Sequence, residues 1–446
     1  MNFFNFKFYT DTKINNINNA TIILIYFTFI TAISFSSLIY AYITINKFGI
    51  ADPNNNLIIE KLQFRYGDLI NNLVKNWDYS SDIFGVKFFL ARLPIFPIVL
   101  SLTIKISSNV YFIFFFKNFI FFSIYFLMSF LSLKYTSKNL LSLICVLFFS
   151  IIIPYNFHVA LNIFFADCIV YLILPSLFLM LNSNNKFKYL FISFLLIILY
   201  LTKTSMTFIV ICLPLFIFIL EKNNLKKKII PILSMLIVVL GWGTFGLYKT
   251  GKFPIFKSTI TLNSQSLYYI NCNPQFIKNF PYKSVDILLP LDIDYSHYED
   301  EWEVFNDFND KAKNDCATKN SFFKDLPKKL KFIFFNINKD NVNPDENGNF
   351  NNPIVFSYIL NKLFFNIAFL IAFFSILKNI TNIVLLRDLD KYKIDIYYLI
   401  IVLLNLLPHL AAWATSKHLV AIQLMSMIYI YLKVERNLFR KIFKSN

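Results

Sequence analysis

Seven polar residues stand beside or inside long apolar segments of the chain, where ionisable groups are costly and usually functional. They are Asp52, Arg92, Lys117, Asp167, Lys203 and the neighbouring pair Lys417 and His418. A carboxylate can accept a proton as a general base, and Lys or Arg can bind a phosphate and stabilise charge on a leaving group. Each residue alone also fits a solvated loop position or a lysine that reaches the membrane surface. Together they favour transfer of a group from a lipid-linked phosphate.

The composition indicates that lipid is the main solvent of this chain. Of the 446 residues, 57% are hydrophobic and only 15% are charged, against about 25% charged in soluble domains. These values exclude a disordered chain, a small disulfide-stabilised protein and a typical soluble enzyme. The formal charge of +17 fits basic loops facing anionic lipid better than it fits nucleic-acid binding. The fold class predicted is an all-α polytopic membrane protein.

Ten segments have the length and apolarity expected of membrane-spanning helices, which need about 20 residues each. They lie near residues 20–45, 110–133, 140–157, 168–183, 187–202, 205–220, 229–249, 356–377, 394–413 and 417–433. Lysines and arginines collect in alternate connections and in the C-terminal tail, which predicts that both termini are cytoplasmic. The candidate chemical residues then lie on the other side, which for a bacterial inner membrane is the periplasm.

Two long segments face that other side, and three units follow from them. Residues 1–249 form a membrane module that contains the first segment, 46–109; residues 250–355 form an extracytoplasmic loop domain; residues 356–446 hold the last three spans and a basic tail. Apolar spacing within 54–76 predicts amphipathic helices at the membrane surface. Residues 93–106 are apolar but short, which predicts an interfacial or re-entrant helix and leaves a crossing open. Cys272 and Cys316 share the second segment, where a disulfide between them is open.

The order of these features resembles the GT-C superfamily of integral-membrane glycosyltransferases, in particular the bacterial branch of protein O-mannosyltransferases and aminoarabinose transferases. Six short motifs carry the resemblance. They are the early acid Asp52, the element Arg92-Leu93-Pro94-Ile95-Phe96-Pro97, the basic Lys117, Pro154 followed by Asp167, and Thr202-Lys203, with Lys417-His418 where the family often has Arg-Tyr.

The resemblance implies inverting transfer of a sugar from a polyprenyl-phosphate donor to an acceptor in the cell envelope. It implies that Asp52 is the general base and that Arg92, Lys203 and Lys417 contact phosphate. Lys117 and His418 are further candidates for substrate binding, and Asp167 is a candidate for binding the acceptor or an ion. Some branches use a divalent metal ion and others do not, so the metal requirement stays open, and no other cofactor is implied.

Two other classes of membrane protein share some of these features. Glycan polymerases and ligases of the O-antigen type also have many spans and a large late loop, but they rely on arginines in outer loops. Here the first outer segment has only Arg65 and Arg92, and residues 250–355 have no arginine. A transporter or flippase is expected to show internal repeats or paired interrupted helices, and neither is found. The glycosyltransferase interpretation is therefore preferred, with the polymerase or ligase as the alternative.

Overall fold

A computed structural model of the chain shows a bundle of long helices. It describes residues 19–47, 67–83, 85–90, 92–136, 166–221, 225–254, 297–317, 352–380, 389–411 and 416–442, with short pieces within 144–161 and 326–335. The described helices are α1 (Asn19–Lys47), α2 (Gly67–Asn76), α3 (Ile95–Ile106), α4 (Val110–Thr136), α5 (Asp167–Leu181), α6 (Lys188–Tyr200), α7 (Thr207–Leu220), α8 (Leu225–Thr250), α9 (Glu301–Ala317), α10 (Asn352–Lys378), α11 (Leu389–Ala411) and α12 (Ser416–Ile442).

The prediction of a helical membrane protein is confirmed, whereas the number of spans stays a prediction. Among the described residues, four helical segments are long and apolar enough to cross a membrane: Leu24–Tyr42, Val110–Ser132, Leu225–Thr250 and Phe356–Lys378. Their outward faces carry large apolar side chains such as Phe27, Ile237 and Phe374, each more than half exposed. Because water would penalise such surfaces, these faces fit contact with lipid tails.

Nine of the ten predicted spans coincide with a described helix, although several helices are shorter than a span requires. Helices α5, α6 and α7 have 15, 13 and 14 residues, so α5 extends only about 22 Å against about 30 Å of hydrocarbon. The predicted span at 140–157 is described only in part, and its described positions between Ile144 and Ile152 are helical.

Helix α5 occupies the centre of the bundle. Its sequence is apolar on every face, and all its side chains from Cys168 to Leu181 are buried. A helix without a polar face can only be stable when other helices or lipid surround it. It packs against α4, α6 and α12, so the helices before and after the long 255–296 segment share one core.

Short connections pair neighbouring helices into hairpins and define two ends of the bundle. We call one the basic end: here the α5–α6 connection, the α7–α8 connection and the start of α11 lie together. Lys186, Lys226, Lys227 and Lys391 are exposed there. The other end, called the opposite end, holds the α6–α7 turn, the starts of α3 and α12 and the C-terminal end of α8.

The segment between α1 and α4 contains small elements of the predicted interfacial type. Helix α2 buries Leu69, Ile70 and Leu73 and leaves a polar face, which confirms the amphipathic pattern over 67–76. Helix α3 has 12 residues, about 18 Å of length, which is too short to cross a bilayer straight. Between α2 and α3, strands β1 (Ser81–Ile83) and β2 (Val86–Phe88) pair antiparallel and form a short hairpin in an otherwise helical fold.

The end of α8 is closed by a fold-back of the chain. Residues Phe253 and Pro254 lie against two glycines of α8, Gly243 and Gly246. A Cβ atom on Gly246 would lie 2.5 Å from Pro254 Cδ, and one on Gly243 would overlap the Phe253 ring. The absence of a side chain is therefore required at Gly246 for the Pro254 contact, whereas at Gly243 a movement of the Phe253 ring could make room. The cysteines Cys272 and Cys316 lie outside the described side chains, whereas Cys168 and Cys212 form no disulfide.

Candidate functional site at the opposite end

A backbone hydrogen bond joins two of the predicted cationic segments. The Ile95 N–H donates to the Leu201 carbonyl oxygen at 3.0 Å, so the start of α3 rests on the α6–α7 turn. Arg92 precedes this contact by three residues and Lys203 follows it by two, and both side chains are partly exposed. The structure thus brings the Arg92 and Lys203 segments, 111 positions apart in sequence, to one place at the opposite end.

The backbone at Arg92 is anchored to α8. The Tyr79 hydroxyl donates to the Arg92 carbonyl oxygen at 2.6 Å. The Tyr79 ring meets the rings of Trp242 and Phe245 edge-on, with centroids 6.0 and 5.6 Å apart. Aromatic contacts of this type add to the energy of burial. They hold Tyr79 in place, and its hydrogen bond fixes the backbone position of Arg92.

Lys117 is fully buried in α4, about two turns from the start of that helix. Its Nζ lies 3.6 Å from Cys168 Sγ at the start of α5. Asp167 is the neighbour of Cys168, and its backbone opens α5 while its side chain lies outside the described set. A lysine buried this deeply within an apolar bundle is costly, which favours a role beyond reaching the membrane surface.

Asp78, another carboxylate of the segment between α1 and α4, is held as an ion pair. Its carboxylate accepts from Ser80 Oγ at 2.7 Å and lies 3.3 Å from Lys87 Nζ and 3.9 Å from Lys249 Nζ. The Ser80 hydrogen bond, followed by the two ammonium groups, lowers the pKa of Asp78 in spite of a smaller opposite effect of burial. Because a general base works best with a pKa near the working pH, this carboxylate is poorly suited to that task.

Glu301, at the start of α9, is a buried acid that the sequence did not single out. Its side chain is 1% exposed. Its carboxylate accepts from the backbone N–H groups of Phe89 and Leu90 at 3.3 and 3.2 Å. Burial raises the pKa of Glu301 to about 7, although the two N–H donors act in the opposite direction. The contact ties the second long segment to the first, and we interpret it as structural because both carboxylate oxygens accept backbone N–H groups.

Three buried amides were also missed. Asn118, Asn405 and Gln423 are at most 1% exposed. Within the described part of the chain, both side-chain atoms of Asn118 and Gln423 and the Oδ1 of Asn405 have no hydrogen-bond partner. Amides inside apolar helices were the available signal, but the Asn-rich composition hid it. A second buried lysine, Lys362 in α10, was also missed and is 2% exposed.

Four predicted site residues have side chains outside the described set. Asp52 lies outside the described residues, and for Asp167, Lys417 and His418 only the backbone in the first turn of α5 or α12 is described. The first turn of α12 lies at the opposite end. The roles of these four residues remain predictions.

The basic end has a different arrangement of buried charge. Glu221 accepts from Lys188 Nζ at 2.7 Å, Lys393 Nζ at 2.9 Å and the Tyr397 hydroxyl at 2.8 Å. Nearby, Asp395 accepts from Lys433, Ser375 and Tyr429, the last at 2.7 Å. Buried carboxylates with several donors are compensated electrostatically, so this network fixes helix positions.

Neither a metal centre nor a known relative defines the site. Among the described residues, no group of three His, Cys, Asp or Glu side chains is placed to hold a metal ion. Comparisons with protein-family models, curated proteins and solved structures found no match to this chain.

Proposed function

We propose that the protein is a membrane glycosyltransferase that moves a sugar from a polyprenyl-phosphate donor to an acceptor in the cell envelope. The observation that carries the proposal is the hydrogen bond from Ile95 to Leu201, which joins the Arg92 and Lys203 segments. Two cationic segments held together at the end of an apolar bundle suit a phosphate whose lipid tail lies among the helices.

In this proposal the acceptor hydroxyl oxygen attacks the anomeric carbon of the donor sugar. Asp52 takes the hydroxyl proton, the bond from the anomeric carbon to the phosphate oxygen breaks, and the lipid phosphate leaves with the electron pair. Arg92 and Lys203 stabilise the charge on that phosphate. The ion-paired state of Asp78 leaves Asp52 as the preferred base, with Asp167 as the substitute. Attack opposite the leaving group inverts the sugar configuration.

The proposed topology has ten spans, a cytoplasmic basic end and an outward-facing opposite end. The exposed lysines Lys186, Lys226, Lys227 and Lys391 at the basic end support this orientation through the positive-inside rule. With both termini at the basic end, an inner-membrane location puts the opposite end, with Arg92 and Lys203, on the periplasmic side. The short helices α5 to α7 span by packing inside the bundle, where neighbouring helices replace lipid.

The test is sugar transfer by the purified protein in liposomes. Wild type and Asp52→Asn would each receive a set of polyprenyl-phosphate sugars and an envelope extract as acceptor. We expect turnover by the wild type and a loss of about 100-fold or more in the variant, since removing a general base costs that much. Donor binding should be retained.

Asp82→Asn is the matched control, because Asp82 is an exposed carboxylate in the same outer segment and should leave turnover unchanged. Full activity of Asp52→Asn would remove Asp52 from the role of base and transfer it to Asp167. If the wild type used no lipid-phosphate sugar but joined diphosphate-linked oligosaccharides, the polymerase or ligase class would replace this proposal.

A further inference from the structure

Two of the buried amides, Asn405 and Gln423, lie in the halves of α11 and α12 nearest the α6–α7 turn, and we call these two segments and the turn the amide region. The register of α11 and α12 is set by the contact of Tyr398 Oη with Ser426 Oγ at 2.7 Å and by the stacked rings of Tyr398 and Tyr429, 4.3 Å apart. These two helices run antiparallel, since α11 ends and α12 begins at the opposite end.

From this contact, both amides lie toward the opposite end on the same helix faces. Asn405 follows Tyr398 by seven residues, and Gln423 precedes Ser426 by three residues. Residues three, four or seven apart share one face of a helix. With 1.5 Å of rise per residue, Asn405 lies roughly 10 Å and Gln423 roughly 5 Å along its helix from the contact between Tyr398 and Ser426.

The α6–α7 turn forms the third side of this region. Asn405 Nδ2 lies 4.0 Å from Met206 Sδ, and Met206 follows Lys203 by three residues. Two more polar atoms of this turn, Tyr200 Oη and Ser205 Oγ, are buried and have no hydrogen-bond partner among the described residues. Within the described structure, the amide region therefore holds four side chains with unpartnered neutral polar atoms, two of them within three residues of Lys203 in the sequence.

Neutral groups of this kind indicate the chemistry of a ligand. A carboxamide both donates and accepts, as does a hydroxyl, whereas none of these four groups carries a charge. A buried polar group without a partner is unfavourable in the absence of a ligand. A ring with several hydroxyl groups would satisfy these donors and acceptors, while a bare phosphate would require cations instead.

We propose that Asn405 and Gln423 bind the sugar head group of the lipid-linked donor, next to the Lys203 turn that contacts its phosphate. This inference rests on the proposed function and divides recognition of the donor into two parts. The cationic segments bind the phosphate regardless of the sugar, and the two amides form hydrogen bonds with the sugar hydroxyl groups. Selectivity among donors is then set by α11 and α12 and not by Arg92 or Lys203.

The test compares binding of two lipids, polyprenyl phosphate with and without a hexose, to the full-length protein in nanodiscs. The variants Asn405→Leu and Gln423→Leu keep side-chain volume and remove the amide. We expect each to weaken binding of the hexose-bearing lipid by about tenfold and to leave binding of the bare lipid phosphate unchanged. The thermal midpoint should stay equal or rise, because an unpartnered polar group is removed.

Asn379→Leu is the matched control at the basic end. The Asn379 side chain is fully engaged, donating to the Ser375 carbonyl and accepting from the Tyr392 hydroxyl, at 2.8 and 2.7 Å. This variant should lower the thermal midpoint and leave both lipids bound as before. A similar loss of stability in Asn405→Leu and Gln423→Leu would mean that these amides have partners within the protein, and would overturn the inference.

Transfer activity separates this inference from the proposed function. If the Leu variants bind and transfer hexose like the wild type, the amide site is refuted while the glycosyltransferase proposal stands. If the wild type prefers the hexose-bearing lipid through these amides but transfers nothing, the amide site stands and the proposed reaction fails. A wild type with no preference for the hexose-bearing lipid overturns the amide site.

Discussion

Glu221 at the basic end is bonded by two ammonium groups and a phenol, whereas Gln423 near the opposite end has no partner among the described residues. Both side chains are buried within one bundle. The difference teaches that burial of polar groups serves two purposes here. At the basic end the protein itself supplies the hydrogen-bond partners, and these contacts fix the helices. Toward the opposite end the amide groups keep unused donors and acceptors, which in our proposal bind the sugar of the donor.

The largest effect is expected when the basic end loses its central carboxylate. Glu221→Gln leaves Lys188 and Lys393 close together without an anion between them, and removal of one member of a buried ion network costs about 3–5 kcal/mol. Thermal unfolding in detergent measures the loss. Lys227→Gln, an exposed lysine at the same end, should change stability by less than about 0.5 kcal/mol. Equal midpoints for the two variants would contradict the structural role of the network.

Lys117 tests the opposite end, because there a buried charge should matter for activity more than for stability. Lys117→Met fills the same space without a buried charge, so the thermal midpoint should not fall. Lys117 is a candidate for substrate binding, so we expect turnover in the liposome assay to fall about 100-fold when its preorganised cation is removed. Lys105→Met, an exposed lysine at the end of α3, should retain turnover. If Lys117→Met loses stability but keeps activity, the role of Lys117 is to stabilise the fold and not to bind substrate.

A smaller effect is expected at the α6–α7 turn. Lys203→Met removes one charge-assisted contact to phosphate, which is worth about 1.5–3 kcal/mol. Binding of polyprenyl phosphate should therefore weaken by about tenfold or more, measured by titration in nanodiscs. The exposed Lys75, at the end of α2, provides the comparison, and Lys75→Met should bind like the wild type. Unchanged binding by Lys203→Met would separate the Lys203 turn from phosphate recognition.

The smallest effect concerns pH and Glu301. Its folded-state pKa of about 7 lies above the ordinary value of 4.5, so the protonated form is favoured by folding. Stability from this group is full below about pH 4.5 and is lost as the pH rises through 7. The wild type should lose unfolding free energy between pH 5 and pH 8. In Glu301→Gln this loss, followed by thermal unfolding at each pH, should be smaller by an amount on the order of 1 kcal/mol. An identical fall in wild type and variant would contradict this assignment.

The sequence predicted the helices well because apolar length is a local property. The bounds of α4 and α10 follow from long, mainly apolar runs that a few polar residues such as Lys117 and Lys362 interrupt. What it could not predict depended on contacts between distant segments, such as Glu301 with the Phe89 and Leu90 backbone, or Lys117 with Cys168. The unpartnered state of Gln423 is likewise a property of its neighbours, and no local pattern distinguishes it from an amide that donates to a nearby carbonyl.

The two glycines of α8 bear on how that helix ends. Gly243 and Gly246 let Phe253 and Pro254 fold back against the helix, so the chain at 251–254 covers the last turns of α8 and does not continue along its axis. A methyl group at Gly246 would lie 2.5 Å from Pro254 Cδ, and because a proline ring is bonded to its own backbone, the backbone at 254 would have to move. A missing side chain in α8 thus determines where the chain can turn away from the helix.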